Sequence, residues 1–142
     1  SRVDIMEASK LLSSSLSSNP ITHLRLKRLG ELAQSTEDHV SRLAMALSVR
    51  AGAVPPDWAP NPDEEEEESA TGFKEKHLKG STLFKDDLGL WMALTLKHQE
   101  PQDYLAWRRV LIAHWERGVE ELSMISKREG DWIRTVHACL PV

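Results

Sequence analysis

The longest helical pattern in the chain runs from about Asp103 to Ser126 and carries a glycine, Gly118, on its apolar side. Tyr104, Trp107, Leu111, Trp115, Leu122 and Ile125 recur at steps of three and four residues, which lines one face of an α-helix. Gly118 falls in the same heptad phase as Leu111 and Ile125. A glycine inside a helix costs about 1 kcal/mol relative to alanine, so its presence calls for a compensating contact. The expected contact is a second helix approaching so closely that any side chain at 118 would hold it off. His114 and Arg117, three residues apart, share a face with Glu121 and read as an ion-pair and hydrogen-bond cluster rather than as catalytic groups.

The remaining patterns are also helical. Ile5, Ala8, Leu12 and Leu16 form a stripe from about Asp4, the expected N-cap, before a serine-rich stretch and Asn19-Pro20 end that segment. From Pro20 to about Gln34, Leu26, Leu29, Leu32 and Ala33 give an apolar face beside a basic cluster of Arg25, Lys27 and Arg28. An extended opening at Ile21 to Leu24 is the alternative there, and would allow a ribbon-helix-helix reading of Ile21 to Gly52. Ser35 to Asp38 resembles a loose capping box ahead of Val40, Leu43, Ala44 and Leu47, with Gly52 as the stop. Ser81 or Thr82 is expected to cap one helix through Leu83, Phe84, Leu88, Trp91, Met92, Leu94 and Leu96, ended by Glu100-Pro101. A short helix from Asp131 to Leu140 closes an all-α, single-domain bundle of about five helices over residues 1–142, with residues 1–19 as an N-terminal extension.

Charge is unevenly spread. Six of the 22 acidic residues lie in Asp63 to Glu68, and without them 18 basic residues face 16 acidic ones, so the rest of the chain is close to neutral. Residues 53–72, with four prolines and five consecutive glutamates, are expected to be a disordered acidic loop. It is either a solubilising insertion or an arm that competes with phosphate for the basic face. Lys74, Lys76, Lys79 and Lys85 gather around the helix start near Ser81, where free backbone N–H groups suit a phosphate. The single cysteine, Cys139, lies in an apolar segment and reads as buried and inert, in keeping with a reducing, cytoplasmic setting. No apolar run nears the ~20 residues of a membrane span, and no secretory h-region is seen. There is no Cys-x-x-Cys, no Gly-rich phosphate loop and no histidine pair at ligand spacing, so no metal or cofactor is expected.

Two segments resemble a known family. Gly80-Ser81-Thr82-Leu83-Phe84, followed by Asp86-Asp87 and a helix containing Leu90, Ala93 and Leu94, is similar to the central segment of DndE proteins. These are small subunits encoded with DNA phosphorothioation systems. Ala113-His114-Trp115-Glu116-Arg117-Gly118 resembles their His-x-x-Arg-Gly signature, and Leu26 to Leu32 with Arg42-Leu43-Ala44 and Leu47-Ser48 resembles their N-terminal region. The likeness spans roughly residues 20–126; the acidic loop and N-terminal extension lie outside the family pattern.

The resemblance implies a helical homotetramer that binds double-stranded DNA, with a preference for nicked duplex. It would act beside a cysteine desulfurase, a sulfur-transferring partner and an ATPase, which carry the sulfur chemistry. On that reading Arg25, Lys27 and Arg28, with Lys79 and Lys85, contact phosphate, while His114, Glu116, Arg117 and Gly118 serve packing and assembly. Two alternatives stand: a metal-assisted nickase using His114 with Glu116 or with Asp86 and Asp87, and a protein-interaction scaffold that does not bind DNA.

Overall fold

Asp103 accepts a hydrogen bond from the Ala106 amide at 2.8 Å and so starts the helix on which everything else is laid. The computed structural model describes the backbone of residues 5–141 and the side chains of 9–141; the expected Asp4 cap lies outside the described residues. The described chain is mostly helical. In order it comprises α1 (Ile5–Ser13), β1 (Ser15–Ser17), α2 (Pro20–Ala33), α3 (Glu37–Arg50), α4 (Glu64–Ser69), β2 (His77–Lys79), α5 (Gly80–Phe84), α6 (Leu88–Thr95), α7 (Tyr104–Glu129) and α8 (Trp132–Cys139). No helix among the described residues is long and apolar enough to cross a membrane.

The 26 residues of α7 extend over about 39 Å. Trp107, Leu111, Trp115, Leu122 and Ile125 are buried along it as the periodicity predicts. Helix α3 lies against this face and contributes Val40, Ala44 and Leu47 to the core, with Leu43 half-buried. Where the two cross, a Cβ on Gly118 would stand 1.9 Å from the Ala44 carbonyl oxygen. The facing positions of α3 are small too: Ser41, Ala44 and Ser48 are all buried. Backbone therefore meets backbone, and van der Waals contact runs along both helices.

Helix α2 is helical from its first residue. Asn19 Oδ1 accepts from the Thr22 amide at 2.7 Å, and Pro20 fills the first position, where a missing N–H costs nothing. The strand that a ribbon-helix-helix fold needs at Ile21 to Leu24 is therefore not there. Leu26 and Leu29 close the core from this side.

Three regions differ from the sequence expectation. First, the serine-rich stretch after α1 forms β1, which pairs antiparallel with β2 in the register Ser15 to Lys79 and Ser17 to His77. Second, the apolar segment after Lys79 is two helices rather than one. Neither Ser81 nor Thr82 caps it: Lys79 holds the N-cap position without a side-chain bond, and the Gly80 amide is tied to the Ser14 carbonyl at 2.8 Å. A Cβ on Gly80 would fall 1.7 Å from the Leu11 carbonyl oxygen, so this helix start is clamped against α1. The chain then turns at Lys85, whose φ is 51°, before α6 brings Leu88 and Trp91 into the core. Third, the glutamate run is ordered. Asp63 accepts from the Glu66 amide at 2.8 Å and Glu66 accepts from the Asp63 amide at 3.1 Å, a reciprocal capping box that starts α4. Cys139 is buried where α8 meets the core, as expected.

Two contrasting glycine environments, buried Gly118 and exposed Gly89, give a paired test. Gly118→Ala should lower unfolding free energy by at least about 2 kcal/mol, because overpacking against backbone outweighs the ~1 kcal/mol gain in helix propensity. Gly89→Ala in α6, where an added Cβ meets nothing within 4 Å, should raise it by about 0.5–1 kcal/mol. Urea denaturation of the two variants measures both signs.

Candidate nucleic-acid interface and the helix junction behind it

The residues around Gly118 lock α7 to the end of α3 and the start of α2. His114, 1 % exposed, pairs its Nδ1 with Ser48 Oγ at 2.8 Å. Burial first, then the charges of Arg117 and His98, push its pKa down to about 4, so the ring is neutral at pH 7. Arg117 donates from Nε to Ser48 Oγ at 2.9 Å, from Nη2 to the carbonyls of Ser48 and Gly52, and from Nη1 to the Ala53 carbonyl. It thereby ties the Ser48 carbonyl, which also takes the Ala51 amide, to the Gly52 and Ala53 carbonyls of the segment that follows α3. Glu121, expected to share this cluster, makes no ion pair with Arg117, although its charge acts on it. Glu116 faces the other way and accepts from Ser18 Oγ at 2.9 Å and Asn19 Nδ2 at 2.6 Å. It holds the very side chain that caps α2. Burial raises its pKa, against those hydrogen bonds.

This geometry places the nickase candidates apart in role. His114 is sealed in the core and engaged by a serine, Glu116 is committed to the α2 cap, and Asp86 and Asp87 are exposed ahead of α6. Among the described residues no group of three His, Cys, Asp or Glu side chains could hold a metal ion.

The five candidate phosphate contacts separate into two groups. Arg25 is 3 % exposed and forms a fork with Glu66, at 2.9 and 3.2 Å, with a further bond to Glu120 at 2.9 Å and one to the Asn61 carbonyl. It is a core residue and not a surface cation. Glu66 is equally buried and also meets Lys127 at 3.1 Å. Desolvation opposes its ionisation, but hydrogen bonds from Arg25, the Asp63 backbone and Lys127 prevail and hold its pKa down to about 2. Arg28 makes two 2.7 Å bonds to the two oxygens of Glu65. Thus α4 occupies both arginines with carboxylates, the groups whose geometry most resembles phosphate.

The lysines remain outward. Lys27 is exposed, with its Nζ 5.7 Å from the centre of the Phe73 ring. His23 meets the same ring edge-on at 5.1 Å and bonds the Lys74 carbonyl at 2.8 Å, fixing the start of the Lys74 to Lys79 segment beside α2. Lys27, Lys74 and Lys79 carry no ion pair among the described residues, whereas Lys76 lies 2.9 Å from Glu37 and Lys85 lies 3.9 Å from Asp38. Lys27 and Lys76 line one open groove together with Leu78 and the acidic residues Glu31, Glu37 and Asp38. Of the lysine cluster that the sequence places near Ser81, Lys74 and Lys79 are thus exposed and unpaired, as is Lys27 on α2.

Comparison with known proteins gives no match: no family model, no curated protein and no solved structure matches the chain.

Acid should weaken the Arg25 cluster in a defined window. Glu66 has a folded pKa below its ordinary 4.5, so its contribution is complete above about 4.5 and is lost as pH falls toward 2. His114, lowered from 6.5 to about 4, adds a second loss as pH falls through that interval, because the unfolded chain takes up the proton first. Glu66→Ala should cost about 3 kcal/mol at pH 7, because the buried Arg25 guanidinium loses its fork and keeps only Glu120 and the Asn61 carbonyl. In urea melts the gap between this variant and the parent should narrow from pH 5 to pH 2.

Proposed function

We propose that this chain is a non-catalytic, DNA-binding assembly subunit of the DndE kind, contacting the backbone of duplex DNA, nicked duplex in particular. Its partners on this reading are the desulfurase, sulfur-transfer and ATPase components of a phosphorothioation system, and its assembly is a homotetramer. The observation that carries the reading is that Lys27 on α2, Lys74 ahead of β2 and Lys79 on β2 are exposed and carry no ion pair among the described residues. Lys79 adjoins Gly80-Ser81, the start of one of the two segments that resemble the family. A row of mobile cations without paired acids suits the sequence-independent, counterion-releasing contact that phosphate requires.

The second resembling segment supports the assembly half of the reading. Its histidine, arginine and glycine all serve the α3–α7 junction, a structural task that fits a subunit leaving bond breaking to its partners. Leu90 on α6 and Leu96 just after it are 57 % and 50 % exposed, and these offer apolar surface for neighbours in a complex. The phosphate contacts on this proposal are Lys27, Lys74 and Lys79, with Lys85 at the margin.

DNA titration across salt concentration tests it. Affinity should fall steeply as salt rises, and Lys27→Glu with Lys79→Glu should weaken binding by roughly tenfold or more while lowering the salt slope by about 2. Thermal melting of that double variant should be unchanged, because neither lysine holds a buried partner. Salt-insensitive affinity, or none for nicked or intact duplex, would refute the reading.

A further inference from the structure

Helix α4 closes on α2 through two arginine clasps that differ in burial. In the inner one, Arg25 and Glu66 are each 3 % exposed, and Lys127 holds Glu66 in addition at 3.1 Å. In the outer one, Arg28 and Glu65 are 40 % and 60 % exposed. Opening the inner clasp would strand charge in the core, whereas an exposed pair adds little to stability and is readily traded for another anion. Ala70, just beyond α4, is buried as well. The helix is thus anchored by Glu66 and Ala70, without need of Glu65.

The outer clasp has the form of a phosphate contact. The two Glu65 oxygens accept one bond each, from Nη1 and Nη2 of Arg28, both at 2.7 Å. A phosphodiester offers its two unesterified oxygens to a guanidinium in the same fork. Ser69 Oγ donates to Glu65 Oε2 and steadies the carboxylate in this pose. Glu66 and Asp63 also act on Arg28 through their charges. In the free chain the arginine's charge is therefore answered by acids from α4 and its cap.

Arg28 also stands next to unpaired cations. Lys27 precedes it on α2, with its Nζ 5.7 Å from the centre of the Phe73 ring. Phe73 ends the short turn Ala70–Gly72 that follows α4, and Lys74 comes next, its carbonyl bonded by His23 of α2. The acidic helix and the Lys27–Lys74 pair thus flank the same stretch of α2, joined by residues 70–73.

We propose that α4 is a built-in competitor for phosphate: Glu65 occupies the guanidinium of Arg28 in the free chain and yields it to a DNA phosphate when the backbone docks on Lys27 and Lys74. The inference rests on the backbone-binding reading above and adds Arg28 to its contacts. A carboxylate tethered beside its arginine competes at high effective concentration, so a lone phosphate ion displaces it poorly. A polyanion already held by the lysines competes on equal terms. The clasp therefore favours a phosphate chain over single phosphates.

Fluorescence anisotropy of a labelled nicked duplex titrated with the full chain tests this. Glu65→Gln keeps the size of the side chain but not its charge, and should bind at least about threefold more tightly than the parent at low salt. Glu68→Gln removes the same charge from an exposed position of α4 that carries no ion pair among the described residues, and should gain less. Arg28→Gln should weaken binding, lower the salt slope by about 1, and cancel most of the gain when combined with Glu65→Gln. Melting temperatures of these variants should stay close to the parent's, because the outer clasp is exposed. No gain in Glu65→Gln while the parent binds DNA, or an equal gain in Glu68→Gln, would overturn the inference and leave the lysine reading in place. Absence of DNA binding in the parent and in Glu65→Gln alike would overturn both.

Discussion

Backbone contact between α3 and α7 is the constraint on which the other features depend. With Gly118 seated on the Ala44 carbonyl, the helices are close enough for short side chains to bond across the seam: Trp115 Nε1 reaches Ser41 Oγ at 2.9 Å, and His114 reaches Ser48 one heptad further on. Wider spacing would strand an indole N–H and an imidazole in the core, where each unmet polar group costs about 1–3 kcal/mol. The same closeness lets Arg117 collect the carbonyls at the end of α3. Because Glu116 holds the Asn19 cap, the position of α2, and of Lys27 upon it, is set from the same six residues of α7.

The second organising interaction is the buried fork between Arg25 and Glu66. Isolated surface glutamates would repel one another and leave the run unfolded; one of them instead starts a helix through its capping box and enters the core on a guanidinium. The consequence reaches the surface. Two arginines that would dominate a phosphate-binding helix are neutralised within the chain, and the exposed cationic character of α2 and β2 is left to lysines. Lysine recognises phosphate as a point charge without the directional fork of arginine, which favours backbone contact over geometric selectivity.

Much of the helical plan is legible in the sequence, and what is not has specific physical causes. Period and stops mark α2, α3, α7 and α8, and Asp103 caps α7 as expected, whereas the capping box expected at Ser35 to Asp38 does not form, since Thr36 holds the N-cap of α3 without a side-chain bond; the phase of Gly118 already indicates a close crossing. The complementary signal, the small residues Ser41, Ala44 and Ser48 on α3, is present in the sequence but becomes meaningful only beside Gly118. The pairing of β1 with β2 joins residues sixty or more positions apart, and no local pattern specifies it. The break at Lys85 is similarly silent, since a non-glycine residue occupies a positive φ there. For α4 the signal existed: Asp63-x-x-Glu66 is a capping pattern, outweighed by the composition around it. Its partner Arg25 sits forty-one positions away, so the sequence places that arginine in a basic cluster and the fold places it in the core. Lys27 and Lys79, by contrast, are exposed, and neither carries an ion pair among the described residues.

The central claim is that DNA meets this chain along α2 and β2 and not at the His114 to Gly118 segment. Amide and side-chain chemical-shift mapping by NMR, with nicked duplex DNA titrated into isotopically labelled protein at low salt, tests it most directly. The account predicts shifts centred on Lys27, Lys74 and Lys79, with His114 and Arg117 unmoved. Shifts centred on His114 and Arg117, or none at saturating DNA, would contradict it.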